Sequence, residues 1–378
     1  MIEKEIGEIR RTLIFDKTAI KSIHGCYVNG KKEIISTFEQ SVALMPEEEV
    51  EKYLALFKKV LSGTVDKNLI DISFTSAQVE DSEEHRLLMA LKNSELSDKE
   101  ALERFFRLVT ESVAMDENYV ILLTHNVYDV PFKAADGQRV DADSSGVYSY
   151  IVCSICPVKM TKSALTYDAS EKTFHPSVAA SAIAAPAMGF LFPAFDDRQS
   201  NIYDALFYTG STEEAHEDFI SAVFHATAPM TAAEQNVTFR TVLAEALEES
   251  CSFEVAKTLH KQICEKIVEH KESKSKEPLA VSKYQVREIL EDSGVKEEKL
   301  ESFVEAFDES FGKGTDLAPK NIVDVKKFEL RTPEVVIKVA PDSTHLVQTR
   351  VIDGAKYILI RADSGVELNG LNVSIEEK

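Results

Sequence analysis

The chain has no tryptophan and only five cysteines in 378 residues: Cys26, Cys153, Cys156, Cys251 and Cys264. An odd, scattered set does not make a disulfide framework, so reduced and buried thiols are expected. The first residues, MIEKEIGEIRR, include no apolar signal region, and no apolar run approaches the ~20 residues of a membrane helix. A cytoplasmic chain without a membrane partner is the expectation. Positive charge is also scarce. Lys and Arg number 43 against 64 Asp and Glu, a net charge of −21. That excludes a broad polybasic face for wrapping DNA or lying on an anionic membrane, and leaves room for a local basic patch. No glycine loop that cradles phosphate and no G-x-S-x-G is present, and no cofactor is expected.

An apolar share of 44% is enough for a sizeable core, and the length favours two domains. Residues 2–13 carry Ile2, Ile6, Ile9 and Leu13 at near-helical spacing. IKSIHGCYV and KKEIISTF flank Asn29-Gly30 and read as a hairpin. Pro46 opens a helix with acids in its first turn and a stripe of Val50, Leu54, Phe57 and Leu61. Ser97 and Glu100 form a capping box for a helix bearing Leu102, Phe105, Phe106 and Val109. YVILLT (119–124), VYSYIVCSICPV (147–158) and GFLFPAF (189–195) read as strands buried on both faces. Residues 134–146 read as a polar loop, 165–175 as a weak hairpin and 203–271 as helical. KESKSKEP, 271–278, is polar and ends in proline, as a linker does. Two helices over 282–311 and five short strands over 326–375 follow. The fold class is α/β (α+β). A mixed sheet flanked by helices occupies 1–272, a linker 273–279, and a smaller α+β domain of helices and a small sheet 280–378.

Five groupings invite chemistry. Cys153-x-x-Cys156 has thiol-pair spacing but lies in a strand, where residues three apart face opposite sides, so it reads as core. His260 and Cys264 share a helical turn but lack a third metal ligand. Asp141-x-Asp143-x-Ser145-Gly146 starts like a calcium loop, yet its twelfth position is Val152 rather than glutamate. His125 and Asp129 follow one buried strand, and Asp196, Asp197 and Arg198 follow another. Were those ends adjacent, His125, Asp129, Asp197 and Arg198 could serve a metal-assisted hydrolase. The plainer reading is ion pairing, with Asp196, Asp197 or Asn201 capping a helix that begins near Tyr203. Finally, Lys326, Lys327, Arg331, Lys338, Arg350, Lys356 and Arg361 could hold phosphates if they gather on one face of the C-terminal sheet. Acids are interleaved among them, aromatics there are few, and base stacking on single strands is not expected.

HGCYVNG, LLTHNVYDVP, ICPV, GFLFPAFDDR and the acidic C-terminal helix resemble a family of uncharacterised bacterial proteins, mainly of Gram-positive anaerobes, over nearly the whole chain. From Leu102 onward, the element order is also distantly similar to the large bacterial nucleoid-associated proteins. SFVEAF and the segment FELRTPEVVIKVAPDSTHLVQTRVIDGAKYILIRADSGVELNGLNV carry the best part of that likeness. Asp196-Asp197 stands where that family suggests a glycine-rich basic segment. The resemblance implies a non-enzymatic, cytoplasmic, nucleoid-associated binding protein, with nucleic acid or nucleoid proteins as partners and a homodimeric state. The alternatives are the hydrolase and a protein-interaction scaffold using an exposed Val255/Leu259/Ile263 stripe.

Overall fold

The structure, a computed structural model, describes residues 1–133, 139–163, 165–176, 179–273, 279–325, 328–363, 365–368 and 370–374. The chain divides into two compact units, Met1–Ala232 and Ala233–Lys378. The first unit runs α1 (Glu3–Arg10), β1 (Ser22–Val28), β2 (Ile34–Ser41), α2 (Glu47–Val60), β3 (Leu69–Ser73), α3 (Ser76–Asp81), α4 (Glu83–Asn93), α5 (Lys99–Ser112), β4 (Tyr119–Lys133), β5 (Arg139–Met160), β6 (Leu165–Asp168), β7 (Thr173–Pro176), β8 (Ser181–Ile183), β9 (Met188–Phe192), β10 (Ala194–Asp196), β11 (Gln199–Asn201), β12 (Asp204–Thr209) and α6 (Glu217–Phe224).

Eight strands form one sheet in the order β2–β1–β4–β5–β9–β12–β3, with β8 also on β5. Every one of these pairings is antiparallel. Helices cover both faces, so the central strands are apolar on both sides, as the continuous runs require. Ile121, Leu123, Ile151, Cys153, Phe190 and Phe207 meet α4, α5 and α6 through Leu88, Phe105 and Phe224. Val120, Leu122, Tyr150, Val152, Leu191 and Leu206 meet α1 and α2 through Ile9, Leu54 and Phe57. Gly189 lets α2 approach: a Cβ there would lie 2.3 Å from the Cys153 carbonyl oxygen and 2.8 Å from Val60 Cγ2.

Several local expectations shift. The α5 cap is Asp98, whose Oδ1 accepts from Ala101 N at 3.1 Å, one residue after Ser97. In the β1–β2 loop the positive φ falls on Lys32, not Gly30. Asn29 Oδ1 instead accepts from Lys31 N and Glu33 N, and Gly30 is needed because Asp116 O crowds its Cβ position at 2.1 Å. The expected polar loop over 134–146 is shorter. β4 and β5 run on as a ribbon to Lys133 and from Arg139, with a bulge at Pro131, while 134–138 lie outside the described residues. Tyr203 does not open a helix: Asp204–Thr209 is β12, paired with β9 and β3.

The second unit holds α7 (Ala232–Leu247), α8 (Phe253–Ser273), α9 (Lys283–Asp292), α10 (Glu297–Phe311) and α11 (Pro319–Ile322), then β13 (Phe328–Arg331), β14 (Val336–Val339), β15 (Val347–Ile352), β16 (Ala355–Ile360), β17 (Val366–Leu368) and β18 (Leu371–Val373). Its helices share one core, in which Phe239, Leu259, Ile263, Leu290, Phe303 and Phe307 meet. The expected linker, 273–279, therefore falls inside this unit, and 274–278 lie outside the described residues. Among the described residues the strands form three two-stranded hairpins, β13–β14, β15–β16 and β17–β18.

Candidate functional site

Residues 189–198 leave the core through a tight turn. All five residues of β9 are buried. β10 and β11 then pair through Asp197 and Arg198, both at positive φ (46° and 61°). Two consecutive positive φ angles are what a two-residue hairpin turn of the I′ kind demands. The charged end thus makes a hairpin where a helix cap was expected. Arg198 Nη1 donates to Glu8 Oε1 and Oε2 at 2.6 and 2.8 Å, and Nη2 to Pro131 O at 2.7 Å. Tyr128 OH donates to the same Glu8 at 2.8 Å. The side chains of Arg198 and Glu8 are 20% and 11% exposed, so this pair is largely out of water.

Behind the turn lies an acidic group. The Met1 ammonium sits 2.7 Å from Asp71 Oδ2 and 3.2 Å from Asp196 Oδ1. Asn201 Nδ2 donates to Asp196 and Asp204. Burial raises the Asp71 pKa against the pull of the ammonium. Burial alone would lower the ammonium's own pKa, but Asp71 and Asp196 outweigh it and the net direction is up. Asp197 itself is exposed.

His125 lies elsewhere. It is buried on β4, its Nε2 2.8 Å from Ser149 Oγ on β5. Burial lowers its pKa, with Glu95 opposing. Along β4, His125 and Asp129 share the face of Leu123, toward α4–α6, whereas Tyr128 reaches Glu8 on α1. The sheet therefore stands between His125 and Arg198, and the four residues of the hydrolase reading do not converge. Asp129 is exposed on the ribbon. Ser149, Glu8 and Asp71 had no sequence signal. Only the pairing Val127↔Ser149 puts Ser149 beside His125.

The thiols behave as core. Cys153 and Cys156 face opposite cores. Burial pushes the pKa of Cys153 up, and those of Cys26 and Cys156 up to about 11. Cys251 departs from expectation by being exposed. His260 Nδ1 is 3.7 Å from Cys264 Sγ, and its Nε2 is 3.2 Å from Asp324 O. Among the described residues no group of three or more His, Cys, Asp or Glu is placed to hold a metal. Residues 141–146, the calcium-like run, lie within β5.

In the second unit the basic residues do not share one face. Lys326 and Lys327 lie outside the described residues. Arg331 and Lys338 share a face of β13–β14 with Glu329, which is paired opposite Lys338 and accepts from Arg331 at 2.9 Å. On β15–β16, Arg350 stands opposite Tyr357 and Lys356 opposite Val351, on opposite faces. Arg361 Nε donates to Asp363 at 2.5 Å. The Val255/Leu259/Ile263 stripe is buried in the helical core, so it is not available for docking. What is exposed instead is apolar: Val351 (68%), Ile360 (55%) and Leu371 (70%), with Ile352, Tyr357 and Leu368 beside them in sequence or across the hairpins.

A family model described as Domain of unknown function (DUF4317) matches residues 1–371. No curated protein and no solved structure matches the chain. Among the described residues no helix is long and apolar enough to cross a membrane.

Proposed function

We propose a protein-binding role, exerted through the C-terminal hairpins, for this chain, which belongs to the family of that domain of unknown function (DUF4317). One observation carries the reading: β15–β16 and β17–β18 expose aliphatic and aromatic side chains on both strands of each hairpin. A two-stranded hairpin is marginal in water without a third strand or a packed face, and an exposed apolar edge is a template for another chain. Strand addition with burial of alternate side chains is the corresponding recognition mode. A nucleic-acid partner has less support, because Arg350 and Lys356 face opposite ways and Glu329 and Asp363 engage Arg331 and Arg361. The hydrolase reading has less again, with His125 and Arg198 on opposite sides of the sheet.

Hydrogen exchange on the full chain at high dilution tests this. Amides of 347–373 are expected to exchange orders of magnitude faster than those of β4, β5 and β9. Protection equal to those central strands in the dilute monomer would mean the hairpins are already covered by their own chain, and would overturn the reading.

A further inference from the structure

Hairpin β15–β16 has six residues in each strand, VQTRVI and AKYILI, and among the described residues each strand has an edge with no strand beside it. Natural edges are blunted by shortness, proline, bulges or inward charge. β17 and β18 are short, at three residues each. β16 has none of these protections except Lys356, and its register with β15 is unbroken from Val347↔Ile360 to Ile352↔Ala355. Its composition, with Tyr357, Ile358, Leu359 and Ile360 in succession, is that of a strand that pairs readily.

Charge selects the occupant. Residues 328–373 carry five basic and six acidic side chains, a net charge of −1, so the rest of the chain carries −20 of the total −21. Two copies of so acidic a chain repel one another over most of their surface. In a two-fold contact a surface meets itself, so it must be neutral or mixed in sign. β15–β16 is mixed: Arg350 and Lys356 lie near Asp353 at the turn, amid exposed Val351, Ile352, Tyr357 and Ile360.

We infer that a second copy of this chain covers β15–β16, the two hairpins joining edge to edge along β16 into a four-stranded sheet. This rests on the binding role proposed above. Joining takes each hairpin from two strands, which is marginal, past the three needed for independent stability. It also sets exposed Tyr357 and Ile360 of β16 against the side chains of the adjoining strand of the other copy. The association is apolar and opposed by long-range repulsion, so salt strengthens it.

Sedimentation of the full chain across a wide concentration range, beside Tyr357→Lys/Ile360→Lys on β16, decides the matter. Both positions are exposed, and an unchanged circular dichroism spectrum confirms that the variant folds. A concentration-dependent dimer is expected, tightening several-fold when salt is raised from about 0.05 to about 0.5 M, and weakened about tenfold or more in the double variant. A dimer indifferent to the two substitutions places the contact elsewhere and overturns the inference. A monomer at every concentration also overturns it. If its 347–373 amides exchange fast, the binding role stands with a different partner; if they are protected, both fall.

Discussion

The Arg198–Glu8 pair joins residues 190 positions apart, and removing it is a direct measure of what the 189–198 stretch does. Arg198→Ala deletes the cation and takes from the Glu8 carboxylate, 11% exposed, the two hydrogen bonds it accepts from Arg198 Nη1. Breaking a fully buried pair from one side costs about 3–5 kcal/mol. With Arg198 one-fifth exposed, and both bonds to Glu8 made from a single nitrogen, about 2–4 kcal/mol is the working range. Glu8→Ala leaves the guanidinium bonded to Pro131 O and falls in the same range. The double variant removes both charges of the pair together, so neither single-site loss of a counter-charge is counted twice. Its cost should therefore fall short of the sum by about 1–3 kcal/mol. Native-state hydrogen exchange of the β4, β5 and β9 amides reads the stability of the first unit free of the second. A coupling below about 0.5 kcal/mol, the size of an exposed surface pair, would refute the anchoring role.

Gly189→Ala should destabilise the first unit by about 3 kcal/mol or more by strain alone, and Val60→Ala should rescue little of it. The nearer obstruction, at 2.3 Å, is the Cys153 backbone oxygen, and truncating buried Val60 leaves a cavity of its own, so in urea unfolding the double variant should be no more stable than the single one. Burial lowers the pKa of His24, His125 and His216, against Glu39, Glu95 and Glu214 respectively. In the unfolded chain these groups take up protons first, from about pH 6.5 downward. Their contribution is thus whole above pH 6.5 and is lost as pH falls toward the lowered native values, so urea midpoints should drop between about pH 6.5 and 5 and hold steady from 7 to 8. A midpoint rising over that acid range would contradict it. Iodoacetamide on the native chain should modify Cys251 first and Cys264 more slowly. Cys26, Cys153 and Cys156 should react only at the rate of unfolding, as peptide mass mapping would show.

Much of the architecture was legible because it is periodic. Apolar runs at 119–124, 150–156 and 189–192 are strands buried on both faces, although Val147, at the start of the expected 147–158 run, is 63% exposed, and the four-residue spacing of Val255, Leu259, Ile263 and Ile267 is a buried helical stripe. What such a stripe packs against is not periodic information. The same residues that suggested a free docking face are covered by α9 and α10. DALFYT is too short to show a period and reads as part of a helical stretch, whereas its strand character comes from β9 and β3 on either side. The site residues fared worse for the same reason. Asp197 and Arg198 were visible as charges, but their backbone conformation is set by closure of the β10–β11 hairpin, and Glu8 carries no local sign that it will meet Arg198. Charge along a strand likewise says nothing of face until the register is known, which is why Arg350 and Lys356 read as one patch and stand on opposite sides.

The strand order has a consequence for synthesis. β1 and β2 lie at one edge of the large sheet and β3 at the other, although only residues 42–68 separate β2 from β3 in the chain. β3 has no partner until β12, ending at Thr209, has left the ribosome, and the α2 stripe has no finished sheet to sit on until β5 and β9 arrive. Such long-range pairing is slow to close, and the nascent chain carries an open edge and an apolar helix face through most of the translation of its first unit. A ribosome-bound chain stalled before residue 204 should therefore engage holding chaperones, and one stalled well beyond Ala232 should release them.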